Sequence, residues 1–465
     1  MTDDETQLED RPEADVEDEY VLDRGTVSAI LEAVESHDAA RLTELMEPLH
    51  AADIADLLEQ IGSDERAALV RLYGREFDGD ILSEIDESIR DEIVALLTPE
   101  VLGEAVRELE TDDVVDLIEG LEQPGQQEAV LDALHDADRV AVEKALSYPE
   151  YSAGRLMQRE LVMGPEHWTV GEAIDYLRGA EDLPDQFYHL ILVNPRMQPV
   201  ANVTLGRILS SKRDVKLKDI VEEGFRTFHV EEEEADVAYA FNQYHLISAP
   251  VVDEDDRLVG VITIDDAMTV LDEEHEEDIL RLAGVGDGSL SDRVVETVRR
   301  RLPWLFVNLL TAILASLVIA QFEGAISQLV ALAVLMPIVA SMGGNAGTQS
   351  LTVAVRAIAT RDLTGSNVWR VIRREVLVGL ANGLIFAVVM GAVGMLWFGA
   401  PMLGLVIAVA MVVNLVIAGL AGIGIPVLLD RIGVDPALAS GAFVTTVTDV
   451  VGFFAFLGLA AWVLL

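Results

Sequence analysis

Along this chain the apolar positions recur first with the period of a helix, then with that of a strand, and finally in runs too long for either. From Val21 to about Tyr148 the pattern is helical: "HAADIADLLEQIG" sets Ile54, Leu57, Leu58 and Ile61 at i, i+3, i+4 and i+7, one apolar stripe. "TPEVLGEAVRELE" and "TDDVVDLIEGLE" repeat the unit, with Thr98 and Thr111 expected as N-caps ahead of acids in the first turn. A compact helical array is expected over 21–150, after an acidic tail, 1–20, with too few large apolar groups to fold. Between Leu156 and Leu271 the texture changes to short β-rich runs between helices, and it does so twice. "LILVNPRMQPVANVTLGRIL" (190–209) aligns with "APVVDEDDRLVGVITIDDAM" (249–268) at an offset of 59, each copy reading strand, turn, strand, helix. The copies are assigned to 151–213 and 214–271.

A charged helical segment, 272–302, follows, with Gly284, Gly286 and Gly288 expected to break it into two helices. Residues 303–465 then contain five apolar runs, near 303–323, 327–355, 375–399, 402–429 and 437–464. Each reaches the roughly 20 residues that a bilayer core requires. Charge changes at the same boundary: 1–298 carry 75 acids against 23 Lys and Arg, whereas 299–465 carry 6 against 9. Arg299, Arg300 and Arg301, then Arg356, Arg361, Arg370, Arg373 and Arg374, then Arg431, mark alternate connections, while the other two have neither Lys nor Arg. By the positive-inside rule the chain is a multi-pass membrane protein with its N-terminal domains cytoplasmic and its C-terminus extracellular. The acidic N-terminus, which shows no apolar leader, agrees.

Composition removes several classes. There is no Cys, and none of the eight His lies beyond His275, which disfavours a membrane metalloprotease or a carrier of soft metals. Four Lys against 28 Arg and 81 acids suit a salt-rich, halophilic cytoplasm, so the acid excess alone identifies no ion site.

Chemistry is concentrated where polarity interrupts the spans. "MPIVASMGGNAGTQS" (336–350) holds Pro337, Gly343, Gly344 and Gly347, which together predict a broken span, and Asn345 and Gln349 at i and i+4 share a face. In the last run Gly441, Thr445, Thr448, Asp449 and Gly452 are read as one polar stripe. An intramembrane carboxylate marks function, and no span interior offers Lys, Arg or His to pair with Asp449. The stripe therefore reads as a wet lining that attracts cations. Asn414 in the fourth run is a further pore candidate, or packing polarity.

The βαββα pair resembles the tandem CBS module, a regulatory unit. Thr263 and Asp266 form its T-x-x-D pattern for ribose and phosphate, but Arg207 takes the acidic position in the first copy. That weighs against nucleotide binding while leaving ATP a candidate regulator. "YPEYSAGRLM" (148–157), the paired repeats, "GGNAGTQS" (343–350), "RAIATRDL" (356–363) and "GVDPALASGAFVTTVTDVVG" (433–452) resemble, in this order, the MgtE family of magnesium transporters. The resemblance implies a multidomain membrane protein: an α-helical N-terminal domain, an α/β tandem CBS module, a connecting plug helix and a five-helix transmembrane domain. It also implies a homodimer with its pore at the subunit interface. Carried over by position, Asp449 matches the pore carboxylate that holds Mg2+, and Asp435 the acid beside the cytoplasmic mouth. Asp266, Glu274, Glu277 and Asp278 match acids that bind regulatory Mg2+. Thr269 stands where a ligand Asp can occur, and Ala442 replaces a common proline.

The expected function is thus Mg2+ transport gated by cytoplasmic Mg2+, not catalysis. The alternatives are a broader divalent carrier for cobalt or manganese and another CBS-regulated transporter. An anion channel wants basic pore groups, and a membrane hydrolase wants a nucleophile with a base or a metal motif; neither appears.

Overall fold

A computed structural model describes residues 22–285, apart from 122, 181, 182 and 185, and residues 294–464. The acidic tail 1–20 and Gly286 and Gly288 lie outside the described residues. The chain divides into two units, Met1–Asp272 and Glu273–Leu465.

In the first unit, short helices follow one another from Arg24–Glu35 to Asp136–Ala145. Ile54, Leu57, Leu58 and Ile61 are buried, as the stripe predicted, among Leu42, Met46, Leu69 and Ile93. Burying each such side chain stabilises the array by about 1.5–3 kcal/mol relative to exposure. Thr98 caps its helix by accepting from the Val101 amide at 3.4 Å. Thr111 does not cap: it is the first residue of its helix, and its hydroxyl donates to Glu160 Oε1 at 2.8 Å. A competing long-range acceptor took the hydroxyl that local capping would have used.

The tandem repeat is seen down to its turns. Strands β1 (Met163–Pro165), β2 (His189–Val193) and β3 (Pro199–Thr204) form one sheet, and β4 (Phe228–His229), β5 (Ser248–Val252) and β6 (Leu258–Thr263) the other. In each the first two strands run parallel, joined through the helix Val170–Gly179 or Glu234–Tyr244, and the last two are antiparallel. His189 pairs Thr204 as Ser248 pairs Thr263. In the first turn Asn194 Oδ1 accepts from the amides of Arg196 and Gln198; in the second Asp253 Oδ1 accepts from those of Asp255 and Arg257. Met197 and Asp256, at the same offset, both have positive φ. The equivalent His189 and Ser248 touch, Nδ1 to Oγ, at 2.6 Å.

The connecting helix ends just before Gly284, whose φ of 70° breaks it as expected, and the next described helix begins at Val294. It starts earlier than its charge suggested, at Ile264, directly out of β6, because no Gly or Pro intervenes.

Among the described residues the second unit holds five helices long and apolar enough to cross a membrane, by length and composition: Val294–Ala320, Ala331–Ala359, Val368–Phe398, Pro401–Arg431 and Pro436–Val463. The fourth is the most buried of these spans and the first the least. Glycines let backbones approach: a methyl at Gly383 on the third span would lie 2.9 Å from the Val412 Cα on the fourth. The second span is not broken. Pro337 stands near its start, so only the Ala333 carbonyl loses its helical donor, and Gly343 and Gly347 are packing sites against Asn414 and Val444.

Candidate ion pathway and acidic clusters

A groove of about 530 Å³ lies between the second and fifth spans, with Ile319 of the first at its edge. The second span contributes Pro337, Ser341, Gly344, Asn345 and Thr348, and the fifth contributes Thr445, Asp449 and Phe453. Ser341, Gly344, Asn345 and Thr348 follow i, i+3, i+4, i+7, and the fifth-span residues are four apart, so each set lies on one helix face. Among the described residues of this lining Asp449 alone is charged, and it is half-buried. Thr348 Oγ1 donates to the Gly344 carbonyl at 3.0 Å and Thr445 Oγ1 to the Gly441 carbonyl at 2.9 Å. With their protons turned back on the helices, these hydroxyls offer acceptor oxygens, as do the Asn345 carbonyl and the carboxylate. Such a surface suits a cation whose water shell presents hydrogens outward.

The other expected pore residues lie elsewhere. Thr448 is 0% exposed and donates to the Thr445 carbonyl at 2.9 Å. One residue is 100° of helix, so Thr448 and Asp449 face different ways, and the single stripe resolves into a wet edge and a packed one. Gln349 is exposed outside the groove lining. Gly441 faces the Leu282 carbonyl at the end of the connecting helix, whose Leu282 side chain packs with Leu351, Val355, Ala437 and Val444. Asn414 is fully buried behind the groove.

A second cluster stands at the start of the fifth span. Asp435 caps that helix, accepting from the Ala437 amide at 2.7 Å, with Pro436 in the first position. Its other oxygen pairs with Arg281 at 2.8 Å, and Arg281 also pairs with Glu277. Burial, then the charges of Asp435 and Glu274, push the Asp278 carboxyl up to about 6. Arg281 was not foreseen, although its i, i+4 spacing from Glu277 was legible.

Asp266 belongs to a third cluster, in the first unit. It accepts from Thr263 Oγ1 at 2.5 Å and bonds to the buried Asp112. Burial pushes Asp112 well above the usual carboxylate range, helped by the charge of Asp266. Burial with neighbouring acids carries Glu110 and Asp113 each to about 7. Asp266 lies at the start of the helix Ile264–Leu282, and Glu274, Glu277 and Asp278 lie further along it. Asp112 and Asp113 were read only as helix-start acids, and Glu110 was not singled out; their grouping before a buried helix was the available signal. Arg207 donates to the Ile220 and Val221 carbonyls, so in the first repeat the position opposite Asp266 is spent on its own backbone. Among the described residues no three acidic or histidine side chains converge closely enough to hold one ion. Mg2+ tolerates that, since it keeps several waters and takes one or two carboxylates.

Comparison with known proteins agrees with this architecture. The MgtE family, described as a divalent cation transporter, matches residues 336–459. The MgtE intracellular N domain matches 49–151, and the CBS domain 217–273. The magnesium transporter MgtE of Thermus thermophilus is 31% identical over 93% of this chain and 97% of its own length. That of Enterococcus faecalis is 34% identical over 69% and 71%. Among solved structures, the cytosolic domain of the Mg2+ channel MgtE in complex with ATP covers 52% of this chain and 99% of its own, at 27% identity and a TM-score of 0.49. With one relative 31% identical along nearly its whole length and another 34% identical over 71% of its own, the chain belongs to the MgtE family.

Proposed function

We propose that this protein carries Mg2+ across the cell membrane through a homodimeric pore, with the groove beside Asp449 as half of the pathway. The observation that carries the reading is the groove itself: one carboxylate and a set of acceptor oxygens, with no basic side chain among the lining residues. Two grooves facing across a dimer axis would bring two Asp449 carboxylates to one hydrated ion and enclose it. The names of the relatives, magnesium transporters, support Mg2+ as the cargo; cobalt and manganese remain the alternative cargo for a site of hard oxygen ligands. The Arg-bearing ends of the spans and the large acidic first unit support a cytoplasmic N-terminal part and an extracellular C-terminus.

Control is assigned to the two acidic clusters outside the spans. Like charges held together at Asp112, Asp113 and Asp266, and again at Asp278, Glu274 and Asp435, repel unless protons or cations intervene. Cytoplasmic Mg2+ bound there favours the compact arrangement and closes the pore; its loss frees it. ATP is a secondary regulator in this reading, through Thr263 and Asp266 of the second repeat.

The test is uptake of radiolabelled Mg2+ into vesicles that hold the inserted protein. Asp449→Asn should abolish flux while the spans insert normally, because insertion follows apolarity and the carboxylate serves the ion. Flux at the unaltered level in a correctly inserted variant would sink the pathway.

A further inference from the structure

We propose that Asn414 is a positioning residue that sets the spacing of the two pore helices, and with it the choice among divalent cations, without touching the ion. The inference rests on the groove being the ion pathway. Asn414 is 0% exposed on the fourth span. Its Nδ2 donates to the Val339 carbonyl of the second span at 2.8 Å. The same amide lies against Gly343 of the second span and Gly452 of the fifth. A methyl at Gly343 would overlap the amide nitrogen, and one at Gly452 would lie 2.8 Å from Nδ2 and 3.1 Å from Oδ1. One side chain thus packs against both groove-lining helices at once, on the far side of the second span and beside the groove face of the fifth. Gly343 precedes Asn345 by two residues, which turns it to the far side of the helix from the groove, and Gly452 is one turn beyond Asp449.

What a planar amide supplies there is direction. Among the described residues its Oδ1 meets no hydrogen-bond donor, an arrangement that leucine of similar volume would avoid. Leucine has no donor, however, and would leave the second span free to slide or rotate against the fourth. The bond to Val339 fixes both the register and the facing of the helix that presents Asn345 opposite Asp449. Because Mg2+ holds its water shell in near-ideal octahedral geometry while Ca2+ accepts flexible coordination, a looser spacing should cost Mg2+ more than Ca2+.

The experiment compares Asn414→Ser, Asn414→Ala and Asn414→Leu in the full chain in proteoliposomes, reading inserted protein, KM for Mg2+ and competition by Ca2+. Serine and alanine are nearly equal in size and differ in the donor to Val339. Alanine and leucine should raise KM for Mg2+ about fivefold, the worth of one hydrogen bond, and strengthen competition by Ca2+, while serine stays closer to the parent. Changes confined to the amount of inserted protein, or equal effects of serine and alanine, would overturn the proposal. If alanine fails to insert, leucine against the parent decides on the same readings. Asp449→Asn in parallel keeps the two ideas apart: full flux there refutes the pathway, whereas an unaltered KM and Ca2+ competition in the Asn414 variants refutes only the positioning role.

Discussion

Replacing Asp112 by Asn should make the first unit more stable in the absence of Mg2+ and less responsive to it. Asp112 is 8% exposed, bonded to Asp266 and close to Glu110 and Asp113. The amide keeps the shape and removes a charge. Burial and the charge of Asp266 push the Asp112 carboxyl well above its ordinary range, so its ionisation is disfavoured in the compact state. For the neighbouring Glu110, carried from 4.5 to about 7, the disfavour is on the order of 3 kcal/mol in full and about 1–2 kcal/mol after screening, and relief of that repulsion is what the amide supplies. Raised carboxylate values favour the protonated compact form, so this stability is complete below about pH 4 and is lost as pH rises through about 7. Above that, only cations relieve the repulsion. Calorimetry of the full chain in nanodiscs should therefore find a larger increase in Tm with Mg2+ at pH 8 than at pH 5. In Asp112→Asn the Mg2+-free Tm at pH 8 should rise by roughly 3–6 °C, with a smaller further gain from Mg2+. An Asp112→Asn protein that matches the parent in Mg2+-free Tm and in its response to Mg2+ would refute the reasoning.

Changing Glu274, Glu277 and Asp278 together to Gln or Asn should remove the sharp inhibition of uptake by internal Mg2+; unchanged inhibition at matched ionic strength would make them ordinary surface acids. Arg281→Gln should free Asp435 and cost about 1 kcal/mol of stability, since both side chains are partly exposed, and chemical denaturation would read it. Asn345→Ala should reduce Mg2+ flux less than loss of Asp449 does, because a carboxamide offers a dipole and not a charge; normal flux would return Asn345 to a packing role. Leu57→Ala, which empties a fully buried site, should destabilise the helical array by about 2–5 kcal/mol by calorimetry.

What sequence could announce was whatever repeats locally. Ile54, Leu57 and Leu58 carry their burial in their spacing, and the 59-residue offset foretold the repeated strands and turns. The grouping of Asn345, Thr445 and Asp449 was legible because each is polar where lipid demands otherwise. Contacts between distant segments left no such trace. Thr111 looked like a cap until Glu160 claimed its hydroxyl, and Asp112 gave no sign in the sequence that it would be buried against Asp266. Thr448 was grouped with Asp449 because helical spacing tolerates 100° of ambiguity when the packing partner is unknown.

The wet edge of the second span has a cost during synthesis. It is the least apolar of the five spans, and the partners that cover its glycines, Asn414 and Val444, are translated only later. The first span, which packs least on its own chain, can enter the bilayer alone; the second depends on residues still inside the ribosome when its turn comes. The polarity that suits an ion should thus leave this helix the least firmly held of the five until the fourth and fifth spans arrive to cover Gly343 and Gly347.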